Sequence, residues 1–324
     1  MRKHTTIWLI VAASLLILGL LIFTGVMMVY QWDFTRLSTV KYETNTYEIN
    51  DEFQNISIKT GTADICFLPS EDGACRVVCY EESKQRHAVT VQDGHLVIDK
   101  VNQRKWYDHI GGINFGNLSI TVYIPKGEYG ALAIKASTGD VAIPKDFKFA
   151  SMDISASTGD VTNYASASGR IKIKASTGDI HVENLTADSL DLSVSTGKVT
   201  ASGISCHGDV KVKVTTGKTS LSDMTCRSLI SDGNTGSIYL KNVIAGNWFS
   251  IERSTGDVRF EACDAAEISI KTDTGDVKGS VLSDKVFVIK TDTGDYEVPE
   301  TTTGGKCSIQ TDTGDIKISI ESIE

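Results

Sequence analysis

The hexapeptide KTDTGD occurs at 271–276 and again at 290–295, and QTDTGD follows at 310–315. Each copy carries two carboxylates, so Asp273, Asp276, Asp292, Asp295, Asp312 and Asp315 recur at a near-constant interval. Stacked carboxylates could hold a hard cation, because calcium accepts several carboxylate oxygens. An ion would also relieve a repulsion of roughly 1 kcal/mol per neighbouring pair, even at the dielectric of water. The Gly-Gly-x-Gly-x-Asp spacing of calcium-binding β-rolls is missing, however. Solvated turn residues are therefore the preferred reading over a calcium site. The pairs Thr272/Thr274, Thr291/Thr293 and Thr311/Thr313 resemble ice-binding T-x-T ladders, but an Asp lies between the members of each pair. That breaks the flat, uncharged array such a surface needs.

Other candidate chemistry is sparse. His4, His87, His95, His109, His181 and His207 sit in no recognisable catalytic motif, and no metal or organic cofactor is expected. The seven cysteines form no CxxC pair, which speaks against structural zinc, and their odd number leaves at least one unpaired. Cys206 and Cys226 are predicted to stack as thiols, since parallel side chains one rung apart hold their Cβ atoms slightly too far apart for a disulfide. The chain reads as a non-enzyme. One segment breaks the pattern: KVNQRKWYDHIGGINFGN, 100–117, combines Arg104, Lys105, Trp106, Tyr107 and Phe115 with a Gly-Gly pair. An aromatic loop on a rigid scaffold suits partner binding. Equally, Trp106 and Phe115 could fold back to plug an open end.

What must position these groups is a repeat. Thr-Gly pairs place Gly139, Gly159, Gly178, Gly197, Gly217, Gly236, Gly256, Gly275, Gly294 and Gly314 at intervals of 19 or 20. Seven residues upstream the chain is apolar, from Leu132 and Met152 to Phe287 and Cys307; five upstream it runs from Ile134 to Ile309, with Ser231 as the exception. Two downstream lie Val141, Val161, Ile180, Val199, Thr219, Ile238, Val258, Val277, Tyr296 and Ile316. Further columns comprise Leu185, Ile204, Met224, Val243, Cys263 and Leu282, then the small residues Ser168, Ala187, Cys206, Cys226, Ala245 and Ala265. Alternation with period two means half-buried strand, and no window carries a helical stripe. Short strands that share a core only when stacked predict an all-β fold: a single-stranded parallel β-solenoid of about 19.5 residues per rung. The glycine supplies positive φ at a corner, and its hydroxyl or carboxyl neighbours bond the turn.

Thr60 and Gly61 are predicted to be an earlier corner, 78 residues before Gly139, with 51–130 an irregular opening section that contains the 100–117 loop. Residues 131–320 are the regular solenoid, ending on its last rung with the glutamates of IKISIESIE guarding the edge. Residues 7–30 carry no charge and are long enough for a transmembrane helix. Arg2 and Lys3 favour a cytoplasmic stub at 1–6, and a signal anchor is preferred to a cleaved signal peptide. Residues 31–50 then form a linker, and the rest lies outside the cytoplasm, on a single-pass cell-membrane anchor. The net charge of −9 repels phosphate backbones and argues against nucleic acid.

LSITVYIPKGEYGALAIKASTGDV, 118–141, with the STGD corners that follow, resembles the putative-adhesin β-strand-repeat family of bacterial envelope proteins. The resemblance spans about 45–320. It implies a β-solenoid displayed outside a membrane, a link to envelope stress, and no catalytic residues to carry over. The expected function is a non-catalytic binding or scaffold module that docks an envelope protein partner. The alternative is an adhesin-like module for wall glycans or external surfaces, and a polysaccharide-acting enzyme is a distant third.

Overall fold

The computed structural model describes residues 3–33, 41–102 and 117–321. The helix Lys3–Val29 contains a 24-residue segment, Thr6–Val29, long and apolar enough to cross a membrane. Beyond it the described chain is almost entirely strand.

From Gly127 onward, parallel strands stack with their threonines in register. Thr138 pairs with Thr158, Thr158 with Thr177, and the series continues through Thr196, Thr216, Thr235 and Thr255 to Thr274. This is the parallel β-solenoid the repeat predicts. All ten corner glycines have φ between 125° and 151°. Nine of them also lie against the glycine of a neighbouring rung, and Gly139 against Ala63: a Cβ on Gly159 would stand 2.1 Å from the Gly139 carbonyl oxygen. The corner therefore demands glycine twice, for its dihedral and for the backbone approach.

The core fills the inside of the coil. Leu190, Leu192 and Val194 of one strand face inward, as do Val199 and Ala201 after the corner. Of the small column, Ser168 is exposed and Ala167 takes the inward place, paired with Phe149; likewise Val281, not Leu282, pairs with Cys263 after a register shift and is buried. Cys206 and Cys226 are buried free thiols in adjacent rungs, and all seven cysteines are free. The irregular positions Ser231 and Thr219 have a common cause in Arg253, which is 2 % exposed and points into the core. Its guanidinium donates to Thr219 Oγ1 at 3.0 Å, Val214 O at 3.3 Å and Ser231 Oγ at 3.4 Å. Gly233, beside it, leaves the room: a Cβ there would lie 1.6 Å from Arg253 Nη1.

Both ends depart from the expected order. The last strands in sequence, Gly305–Thr313 and Ile316–Ile320, do not form the outer rung. Thr274 pairs with Thr313, and Thr313 with Thr293, so 305–320 is inserted between 267–281 and 285–297. The outer rung thus belongs to 285–297, where Tyr296 is 65 % exposed and Phe287 and Ile289 are only half-buried. At the other end, Thr60–Gly61 is not the corner. Thr62 pairs with Thr138, so Thr62-Ala63-Asp64 stacks directly on the Gly139 corner. No further rung intervenes between the two. Instead Asn55–Thr62 and Asp64–Pro69 lie between the Gly139 rung and an outer rung made of His95–Asn102 and Ser119–Ile124. Antiparallel strands finish this cap: Cys75–Glu82 on Ser119–Ile124, Tyr42–Ile49 on Cys75–Glu82, and Gln85–Gln92 on His95–Asn102. Tyr42–Ile49 falls within the stretch expected to be linker.

Candidate functional site

The corner aspartates run in line down one edge. The N–H of Asp140 donates to Asp64 Oδ1 at 2.9 Å, that of Asp160 to Asp140 at 2.8 Å, and those of Asp179 and Lys198 to Asp160 and Asp179 at 2.7 Å. Farther along, Asp276 donates to Asp257, Asp315 to Asp276 and Asp295 to Asp315. One oxygen of each accepting carboxylate thus satisfies a main-chain donor of the next rung. The ladder follows the rung order in space, with 315 before 295. Asp276 also receives Lys278 Nζ at 2.6 Å, and Lys278 followed by the Asp315 N–H holds its carboxyl below the usual range. Asp273, Asp292 and Asp312 stand exposed on the same rungs, with Lys290 3.5 Å from Asp292.

Arg104, Lys105, Trp106, Tyr107 and Phe115 lie outside the described residues. Their flanking strands fix where that loop leaves the body. His95–Asn102 ends and Ser119–Ile124 begins at the edge lined by the Thr-Gly corners, since Lys59 pairs with Asp99 and Asp64 with Ser119.

At the opposite edge of the cap is a cleft of about 760 Å³. That volume lies within the usual range for small-molecule sites. Glu48, Asp51, Glu52 and Asp93 bring exposed carboxylates to its wall. Phe53 and Tyr129 supply a stacked ring pair, 6.2 Å between centroids at 19°. Tyr129 donates to Pro125 O at 2.7 Å, and burial, with a smaller contribution from Cys75, pushes its hydroxyl up to about 12. Rings among carboxylates recognise positive charge. Sequence reading missed this cleft because its residues come from four separated turns.

Inside the cap is a second arrangement. His87 Nδ1 stands 2.7 Å from Glu81 Oε2 and His87 Nε2 stands 3.1 Å from Thr60 Oγ1, all three residues being buried. The His87 N–H also donates to Glu81 Oε2 at 2.6 Å, Asn45 Nδ2 to Glu81 Oε1 at 2.8 Å, and Tyr47 OH to His87 O at 2.8 Å. Cys79 completes the group: its Sγ, a Glu81 oxygen and a His87 ring nitrogen lie within 4.8 Å of one another. Burial, then the Glu81 charge, pushes the Cys79 thiol up to about 12. Among the described residues this is the one such cluster of three His, Cys, Asp or Glu donors, and the Asp columns do not form one. The signal was Cys-x-Glu on one strand with His just past a tight hairpin.

A family model for the Toastrack DUF4097 domain matches residues 53–223 and again 205–323, between them the whole cap-to-tip body apart from its first strand. The chain belongs to the Toastrack DUF4097 family. No curated protein sequence matches it. Among solved structures, it is similar to a "putative adhesin" from Parabacteroides distasonis ATCC 8503, with a TM-score of 0.51 at 11% identity over 85% of this chain and 98% of that one. Others are a "putative adhesin" from Bacteroides fragilis NCTC 9343, TM-score 0.41 at 16% identity over 86% and 97%, and a "putative lipid binding protein" from P. distasonis ATCC 8503, TM-score 0.33 at 12% identity over 87% and 98%. The first of these likenesses supports the Toastrack fold and, at such identity, the fold alone.

Proposed function

We propose that this Toastrack chain is a non-catalytic, membrane-anchored binding module of the bacterial cell envelope, whose cap docks a cationic segment of an envelope protein. The observation that carries this reading is the acidic, ring-lined cleft in the cap. The cap is also tethered close to the apolar helix. Tyr42 follows Asp33 by nine residues, at most about 32 Å of extended chain. With Arg2 and Lys3 held in the cytoplasm, the cap lies just outside the membrane, within reach of membrane-embedded partners. The repeats beyond it use their distinctive Thr, Gly and Asp residues to hold rung to rung. A part in the envelope-stress response is the setting this reading favours.

A second reading rests on the far rung, roughly 50 Å from the cap at about 4.8 Å per rung. There Val286, Val288 and Tyr296 stand exposed, and an adhesin-like contact with wall glycan or an external surface would use them. Photo-cross-linking groups placed at Glu52 and at Tyr296 of the full chain, in membranes of the source organism with their cell wall, separate the two. A discrete membrane protein captured from Glu52, and lost when Asp51, Glu52 and Asp93 become Lys in a cross-linker-shifted variant, is the expected result. Capture of wall polymer from Tyr296 alone would replace the first reading with the second.

A further inference from the structure

We propose that Cys79, Glu81 and His87 bind a borderline-soft divalent transition ion of the Zn²⁺ class, which staples the strand Cys75–Glu82 to the strand Gln85–Gln92 in the cap. The inference stands independently of the partner-docking reading. Its basis is the donor set and where the fold puts it. One thiol, one carboxylate and one imidazole are the ligand types such ions take, usually in tetrahedral sites. Cys79 and Glu81 alternate onto the inward face of Cys75–Glu82. His87 comes from the next strand, Gln85–Gln92, just past the turn at which Glu82 pairs with Gln85. No other described part of the chain brings three such donors inward together.

The surrounding contacts already have the form of an outer shell. A ligating histidine ordinarily gives its second ring N–H to an acceptor, which fixes its tautomer. Here Nε2 faces Thr60 Oγ1 at 3.1 Å, leaving Nδ1 turned towards Glu81. Glu81 is steadied on its other oxygen by Asn45, and the backbone of His87 is held by Tyr47. The Nδ1 to Oε2 separation is 2.7 Å. Two ligands at Zn–N and Zn–O lengths on a tetrahedral ion are roughly 3.3 Å apart, so this pair must part by well under 1 Å, while Cys79 Sγ closes in from within 4.8 Å. Binding displaces to solvent the Cys79 thiol proton and the proton shared between His87 Nδ1 and Glu81 Oε2, and the thiolate, carboxylate and neutral imidazole then share the ion's charge.

The test uses the full chain in detergent, reduced and stripped with chelator, with Co²⁺ as the probe. A sulfur-to-cobalt charge-transfer band that saturates at one equivalent and is displaced by Zn²⁺ is expected. Cys79→Ser should abolish the band, whereas Cys263→Ser, at a buried thiol several rungs away, should leave it intact. Glu81→Gln keeps the shape and the thiol, and should weaken Co²⁺ binding at least tenfold while retaining the band. This variant decides the matter if Cys79→Ser fails to fold by circular dichroism. Absence of the band at one equivalent, its survival in Cys79→Ser, or unchanged affinity in Glu81→Gln would each overturn the proposal and leave the cluster as a hydrogen-bonded plug.

Discussion

Three residues before each corner glycine, the inward column runs Ala136, Ala156, Ala175, Val194, Val214, then Gly233 and Arg253. The guanidinium fits because three neighbours gave way together: Gly233 in volume, Ser231 and Thr219 in polarity. Burial pushes Arg253 down to about 10, with Asp232 opposing in part. Gly233→Ala should therefore destabilise the fold by about 3 kcal/mol or more in denaturant titration, through overpacking. Adding Arg253→Ala should restore only part of this, since the new Cβ would still lie 2.0 Å from the Val214 carbonyl oxygen. The corner aspartates allow a gentler test. Asp160→Asn keeps an acceptor for the Asp179 N–H and should change stability little, whereas Asp160→Ala should lose about 1 kcal/mol. The buried thiols set an alkaline limit. Burial raises Cys226 and Cys307 from 9.0 to about 12, with Cys206 adding for the first and Lys285 opposing for the second. Between those values the native state keeps protons that the unfolded chain has lost. Stability must then fall as pH rises, by about 1.4 kcal/mol per pH unit for each thiol. Thermal midpoints should drop steeply from pH 9 to 11, and less steeply in a Cys226→Ala, Cys307→Ala variant compared with its own midpoint at pH 7.

Five consecutive rungs have a second kind of turn, and only the Thr-Gly corner was legible in the sequence. The Thr-Gly corner shows because its dihedral and its tight stacking admit a single residue type. Six residues after the corner glycine a second turn is left-handed, at Asn184, Gly203, Asp223, Asn242 and Ala262, with φ from 50° to 64°. Asn, Asp and Gly all tolerate that conformation, so the column carries no common letter and escapes a search for repeats. Asn242 also donates to Asp223 Oδ1 at 2.9 Å, a side-chain rung between successive turns. Ala262 is the misfit. An alanine held left-handed is strained by roughly 1–2 kcal/mol. Ala262→Gly relieves the strain but makes the unfolded chain more flexible, so a net gain of about 0.5–1 kcal/mol is expected in the unfolding midpoint. The inward columns, by contrast, were read almost intact from alternation alone, because burial inside a stacked coil leaves period two nowhere to shift. The misplaced Ser168 marks where the spacing between strands shortens.

The solenoid places its first and last repeats one rung inside its ends. Asn55–Thr62 is covered by His95–Asn102, and Gly305–Thr313 by Lys285–Thr293. Sequence order could not reveal this, because KTDTGD and QTDTGD offer the same threonine register to whichever strand arrives beside them. Nor could periodicity foresee the cap, whose antiparallel strands have lost the 19.5-residue interval; its cleft and its Cys-Glu-His cluster exist only through pairings between distant segments. The arrangement has a physical consequence for how the molecule opens. Chain ends normally fray first and exchange their amide hydrogens fastest. Here the strand near the C-terminus is hydrogen-bonded on both sides, to Glu267–Thr274 and to Lys285–Thr293, while the strand twenty residues earlier has, among the described residues, a partner on one side only. The inner strand also holds Cys307 and Ile309 fully buried, whereas Val286 and Val288 of the outer one are exposed. Native-state hydrogen exchange should therefore protect amides in 307–311 at least tenfold more than those in 286–290, the reverse of their order from the terminus. Faster exchange in 307–311 would mean that the rungs stack in sequence order in solution.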